Sequence, residues 1–151
     1  MFDRLRAALT GVIPMEDPES EVRIAVAALM AEAARIDDRF GTDERAKISE
    51  LLIRRFNLTV EEAARLLDAG EQAEHNASHV YRFTHVLVQQ LNVEQRAEII
   101  EMLWEVAYAD GVLDPDEDAL IRKVAGLLYV PDRERGIARR RVLTRAGLAP
   151  A

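Results

Sequence analysis

The sequence predicts an all-α fold: a single compact domain of about seven or eight helices that contains two pseudo-repeated helical hairpins. Three observations predict it. Ala, Leu, Arg and Glu abound while aromatics make up only 5%, and those four residue types lose little side-chain entropy in a helix. Apolar residues recur three and four positions apart in segment after segment, and no stretch of five or more alternates as a half-buried strand would. Capping residues punctuate the chain, leaving connections of about two to six residues, as in helical bundles.

The helices follow in order. "DPESEVRIAVAALMAEAARID" has Asp17 as N-cap and Pro18 at the first helical position. Its Ile24, Ala27, Ala28, Ala31 and Ala34 share a face, and so many alanines permit a neighbouring helix to approach closely. Thr42 caps "DERAKISELLIRRF", whose buried stripe is Ile48, Leu51, Leu52 and Phe56. Thr59 and Glu62 form a capping box ahead of Ala63, Leu66 and Leu67. "SHVYRFTHVLVQQL" aligns Val80, Phe83, Leu87 and Leu91. Asn92 and Gln95 cap the next helix, which buries Ile99, Leu103 and Val106, with Trp104 buried at its flank. Asp114 and Glu117 cap "PDEDALIRKVAGLL", with Pro115 at its first position. "PDRERGIARRRVLTRAG" is the last helix, weakened by Gly136.

Length and composition narrow the function classes. At 151 residues the chain is one domain, with a core over about 18–130 and a basic helix or tail over 131–151. With 49% apolar and 31% charged residues it reads as soluble and globular. The absence of cysteine removes disulfides, thiolate metal sites and cysteine nucleophiles together. No secretory pattern opens the chain and no apolar run approaches the ~18 residues of a membrane span, so a cytoplasmic protein without membrane insertion is expected. The net charge of −7 is uneven: residues 131–151 carry +4, leaving −11 for the body. Such a body repels nucleic acid and attracts cations or basic protein partners.

An internal echo organises the chain. Laid over each other at an offset of 73 positions, Glu32 meets Glu105, Asp37 meets Asp110, Phe40 meets Leu113, Glu44 meets Glu117, Ile48 meets Ile121 and Phe56 meets Tyr129. The shared unit is helix, acidic loop, helix, a duplicated hairpin. Gly111 suits the left-handed conformation that ends a helix, and Asp38 takes its place in the first copy. Phe40 and Leu113 plug the gap between the paired helices.

The signature Ala107-x-Ala109-Asp110-Gly111-x-Leu113-x-x-x-Glu117, its diverged copy near Asp37, and segments such as "RFNLTVEEAARLL", "YRFTHVL" and "LWEVAYADGVLDPDED" resemble the TerB-like family of bacterial tellurite-resistance domains. The resemblance covers roughly residues 20–130 and is nearest the standalone cytoplasmic branch. It implies about seven helices, in a fold related to the helical domain of certain membrane-anchored J-domain co-chaperones. It further implies a role in tellurite or stress resistance and a metal-binding acidic site.

Asp37, Glu44, Asp110 and Glu117 are the matching carboxylates and the candidate metal ligands. Brought together around a pseudo-twofold axis, they would attract a hard divalent cation: Ca²⁺, Mg²⁺ or Mn²⁺. An EF-hand is excluded, because counting from Asp110 puts Val112 at position 3, Pro115 at position 6 and Ile121 at position 12. Capping offers a competing account for part of the set. Asp43, Glu44, Asp114, Asp116 and Glu117 sit where helix starts favour acids, and a cap contributes about 0.5–2 kcal/mol. Capping does not explain Asp37 and Asp110, which end helices where the dipole disfavours an anion.

Catalytic patterns are otherwise missing. Ser20, Ser49 and Ser78 lie in no G-x-S-x-G turn, and the seven glycines form no phosphate loop. His75 and His79 share a helical face, with His85 beyond, but lack the H-E-x-x-H pattern and a third zinc ligand. No His or Lys is patterned with the carboxylates as a two-metal hydrolase would need. The expected function is therefore a non-enzymatic stress or tellurite-resistance module that binds a divalent cation or a partner at its acidic loops. The alternative is a metal-independent interaction scaffold with an acidic docking face. Arg139, Arg140 and Arg141 are expected to form a solvated face.

Overall fold

A computed structural model describes residues 18–35, 42–76, 80–109, 111 and 113–148. These residues form seven helices: α1 Pro18–Arg35, α2 Thr42–Phe56, α3 Val60–Asn76, α4 Val80–Gln90, α5 Val93–Ala107, α6 Pro115–Leu127 and α7 Asp132–Arg145. No strand occurs among the described residues. The Asp17 cap, Phe40 and Asp38 lie outside them, as does His79.

α1 is the axle. The alanine face expected of it is buried, but so is most of its circumference, from Ile24 through Ala31 and again at Ala33 and Ala34. It packs against α2, α3, α4, α5 and α6. The small side chains let α3 come close: a Cβ added at Gly70 would stand 2.6 Å from Ala27 Cβ and 2.9 Å from the Ala28 backbone nitrogen. Gly70 is thus a contact glycine in mid-helix, where its propensity cost is offset by backbone-to-backbone packing.

Several helix ends follow the sequence reading closely. Gln95 N–H donates to Asn92 Oδ1 at 2.8 Å, and Asn92 N–H donates back to Gln95 Oε1 at 2.9 Å. The Thr59 box is made the same way, at 2.9 and 3.1 Å, and its hydrogen bonds hold the Glu62 carboxyl below the ordinary range. Gly111 takes the left-handed φ of +85° anticipated for it, but it does not end the helix: α5 stops at Ala107 with Tyr108 as its C-cap. The cap of α6 differs. Asp116 N–H donates to Asp114 Oδ1 at 2.7 Å, one residue earlier than a reciprocal box would use, and Glu117 is buried. Pro115 at the first position leaves the second N–H as the nearest donor for a short Asp side chain.

The duplication is larger than a hairpin. α2 and α6 start 73 positions apart, at Thr42 and Pro115, while α3 and α7 start 72 apart, at Val60 and Asp132. Both second helices end alike. Leu58 N–H donates to Ile53 O and Val130 N–H to Ala125 O, with Asn57 at φ 55° and Tyr129 at φ 57° between them. These are Schellman ends. α1–α2–α3 and α5–α6–α7 are therefore two three-helix units, with α4 packed on α1 and α6. The cross-contacts also match: α1 packs on α5, α1 on α6, and α2 on α5.

α7 runs unbroken through Gly136; Arg139, Arg140 and Arg141 lie exposed on it, as expected, while Ala138 and Val142 are buried. The helix lies on α5 and covers Trp104, which is 1% exposed, buried as expected.

Candidate functional site

The four carboxylates singled out by the duplication divide in two. Asp37 and Asp110 lie outside the described residues. Glu44 and Glu117 are the third residues of α2 and α6, and each turns inward: they are 9% and 5% exposed. Thr84 aside, they are the buried polar side chains among the described residues. Their neighbours Asp43 and Asp116 are exposed, as acids serving only a helix dipole would be.

Burying a carboxylate is costly unless its charge is met. The first turn of a helix supplies part of the compensation, because its free N–H groups and dipole favour an anion. Two corresponding helices each spend that position on a glutamate drawn out of water. Among the described residues, no group of three or more His, Asp or Glu stands close enough to cage a metal ion. A site of the expected composition therefore needs the two loops as well as the two helix starts. His85 stacks on Tyr81 with ring centroids 5.8 Å apart, a surface contact rather than a ligand arrangement.

A fifth carboxylate belongs to the same end of the first hairpin. Glu32, in the last turn of α1, is pushed above its ordinary value of 4.5 by burial first and by Glu74 second, with Lys123 pulling the other way. Glu74 is engaged by Arg35 across α1 and α3, and Arg45 ties α2 to α3 through Glu71 at 2.7 Å. In the second unit the corresponding acid, Glu105, is met by Arg54 at 3.2 Å and by Arg145. Glu32 thus keeps a less compensated charge than its counterpart. Its signal in the sequence is an acid amid alanines in a final helical turn, where the dipole disfavours it.

The sign of the pH effect follows. Because the folded chain holds the Glu32 proton more tightly than the unfolded chain, the group's contribution is fully present below about 4.5 and is lost as pH rises through the raised folded value. Glu32→Gln removes that loss. Thermal melts of the pair at neutral pH should place the Gln variant above the parent, with the gap closing below about pH 4.5. A gap that persists in acid would trace to packing and not to titration.

Neither the curated proteins nor the solved structures compared with this chain gave a match. One family model did. The family described as tellurite resistance protein TerB matches residues 23–140, a span that covers α2 to α6 whole and most of α1 and of the Arg-bearing α7. With two helical units, buried glutamates at corresponding helix starts and a match over most of its length, the chain belongs to the TerB family.

Proposed function

We propose that the chain is a non-enzymatic module of tellurite or metal stress resistance that binds a hard divalent cation between its two acidic loops. Asp37, Glu44, Asp110 and Glu117 would supply the carboxylates, and Ca²⁺, Mg²⁺ or Mn²⁺ fits an all-oxygen set. The observation that supports this reading is the burial of Glu44 and Glu117 at the same place in both units. A cap role alone leaves a glutamate free to stay in water, as Asp43 and Asp116 do.

Tb³⁺ luminescence and calorimetry with Ca²⁺ or Mn²⁺ test it on the purified protein. Saturable binding is expected, weakened about tenfold or more in the Asp37→Asn, Asp110→Asn double variant, since affinity follows the ligand charge count. Glu44→Gln with Glu117→Gln should weaken it similarly. No binding above background, or binding indifferent to both pairs, would sink the cation reading.

A second reading is a metal-independent scaffold whose acidic loops dock a basic partner. The exposure of Asp43 and Asp116 beside the two loops supplies its acidic face. Partner capture that is abolished by charge reversal at Asp114 or Asp116 but indifferent to chelator would select this reading over the first.

A further inference from the structure

The third helices of the two units are held in unlike ways. α3 buries Ala63, Leu67 and Gly70 and touches the backbone of α1. α7 buries only Ala138 and Val142. Arginines add polar contacts to α5. Arg139 Nε donates to Tyr108 Oη at 2.9 Å, and its guanidinium lies 5.6 Å from the Trp104 ring centroid. Arg145 pairs with Glu105, and Arg141 and Arg145 approach Glu101 at 3.9 and 3.7 Å.

Four features weaken this attachment. The arginines are half or more exposed, so salt screens their pairs. The surface under α7 is incompletely matched: Glu101 Oε1 and the Trp104 indole N–H are buried with no hydrogen-bond partner. A cleft of about 270 Å³, lined by Glu94, Glu98 and Glu101 of α5 with Ile137 and Arg141 of α7, runs along one flank. The hinge into α7 is also strained. Tyr129, 71% exposed, holds the left-handed conformation that the first unit gives to Asn57, and Pro131 follows.

We propose that α7 is a salt-sensitive latch over an acidic groove on α5, and that this groove is the docking seat of an arginine-bearing amphipathic helix from a partner protein. The seat itself states the chemistry of its occupant. α7 shows that two small apolar side chains four residues apart, flanked by arginines that reach Glu101 and Glu105, fit it. A partner helix that also supplies an acceptor to the Trp104 N–H and a donor to Glu101 Oε1 fits better than α7 does. The complementarity is electrostatic, so ionic strength sets the balance between the closed and open latch.

Trp104 is the sole tryptophan and reports directly on the latch. In the full-length chain, raising salt to about 1 M should red-shift its emission and increase acrylamide quenching several-fold while most far-UV ellipticity persists. Arg145→Gln should move that change to lower salt. A labelled peptide of residues 131–148, added in trans at low salt, should bind the Arg145→Gln chain several-fold more tightly than the parent, and Glu101→Gln should weaken it. Trp104 exposure that occurs only together with loss of all helicity would overturn the latch. Failure of the peptide to bind the Arg145→Gln chain would overturn the seat. Doubling of mass with concentration, peptide absent, would replace the partner by a second copy's α7.

Discussion

Gly70→Val is expected to destabilise the fold by about 3 kcal/mol or more, lowering the melting temperature by roughly 10 °C. The reason is geometric. Even a methyl group at position 70 would sit 2.6 Å from Ala27 Cβ, 2.8 Å from Ala27 carbonyl carbon and 2.9 Å from Ala28 nitrogen. Two of those atoms are backbone, so relief requires α3 to move away from α1 and cannot come from a rotamer change. α1 is buried on nearly every side, and a shift there disturbs its packing against four other helices. Gly70→Ala should lose about 1–3 kcal/mol from overpacking, less the ~0.5–1 kcal/mol that Ala gains over Gly in a helix. Gly136→Ala is the internal control. That residue is also helical, and nothing lies within 4 Å of its added Cβ, so it should gain about 0.5–1 kcal/mol. Opposite signs at the two glycines, measured by urea denaturation, would establish that close approach decides the outcome. A stabilising Gly70→Ala would show that α3 and α1 are not in backbone contact.

Much of this architecture was legible in the sequence because its cues are local. The Asn92–Gln95 and Thr59–Glu62 boxes are hydrogen bonds within one turn, and they form as the spacing dictates. The left-handed Gly111 is equally local. What escaped is what depends on neighbours distant in the chain. Gly70 reads as an ordinary helix-weakening glycine until Ala27 is placed against it. Trp104 reads as a core residue, but that Arg139 of α7 lies over its ring does not follow from its own helix. That the third helices, each legible on its own, correspond to one another was hidden by a one-residue slip, from an offset of 73 to 72. It was hidden as well by unlike packing: α3 offers Ala63, Leu67 and Gly70 where α7 offers Ala138, Val142 and arginines. The candidate site was half legible. The duplication marks Glu44 and Glu117, but first-turn position alone cannot separate an exposed cap from a buried carboxylate, and only the fold distinguishes Glu117 from Asp116. Glu32 was matched to Glu105 by the offset, yet the difference between them lies in Arg54 and Arg145, which come from other helices.

The second large effect tests whether the two units share one core. Ile48 and Ile121 occupy corresponding positions in α2 and α6, and both are fully buried. Truncating either to Ala should cost about 2–5 kcal/mol, the lost transfer energy plus the cavity left behind. Ile→Val at the same positions should cost about 0.5–1.5 kcal/mol. α2 and α6 do not form one of the packed helix pairs; each leans on α1 and α5 instead. The losses should add to within about 0.5 kcal/mol if α1 and α5 stay in place, and a larger departure would report coupling through those two shared helices. Their sum approaches the whole stability of an ordinary domain, about 5–15 kcal/mol, so the Ile48→Ala, Ile121→Ala double variant should be largely unfolded at 25 °C. Equal single losses with one cooperative transition would mean that the duplicated units melt as one body through the α1–α5 contact. A two-step melt in which Ile121→Ala affects only the second step would mean instead that the units are separately stable. In that case any cation held between their loops would have to bind two bodies at once, and would stabilise their docking rather than either fold.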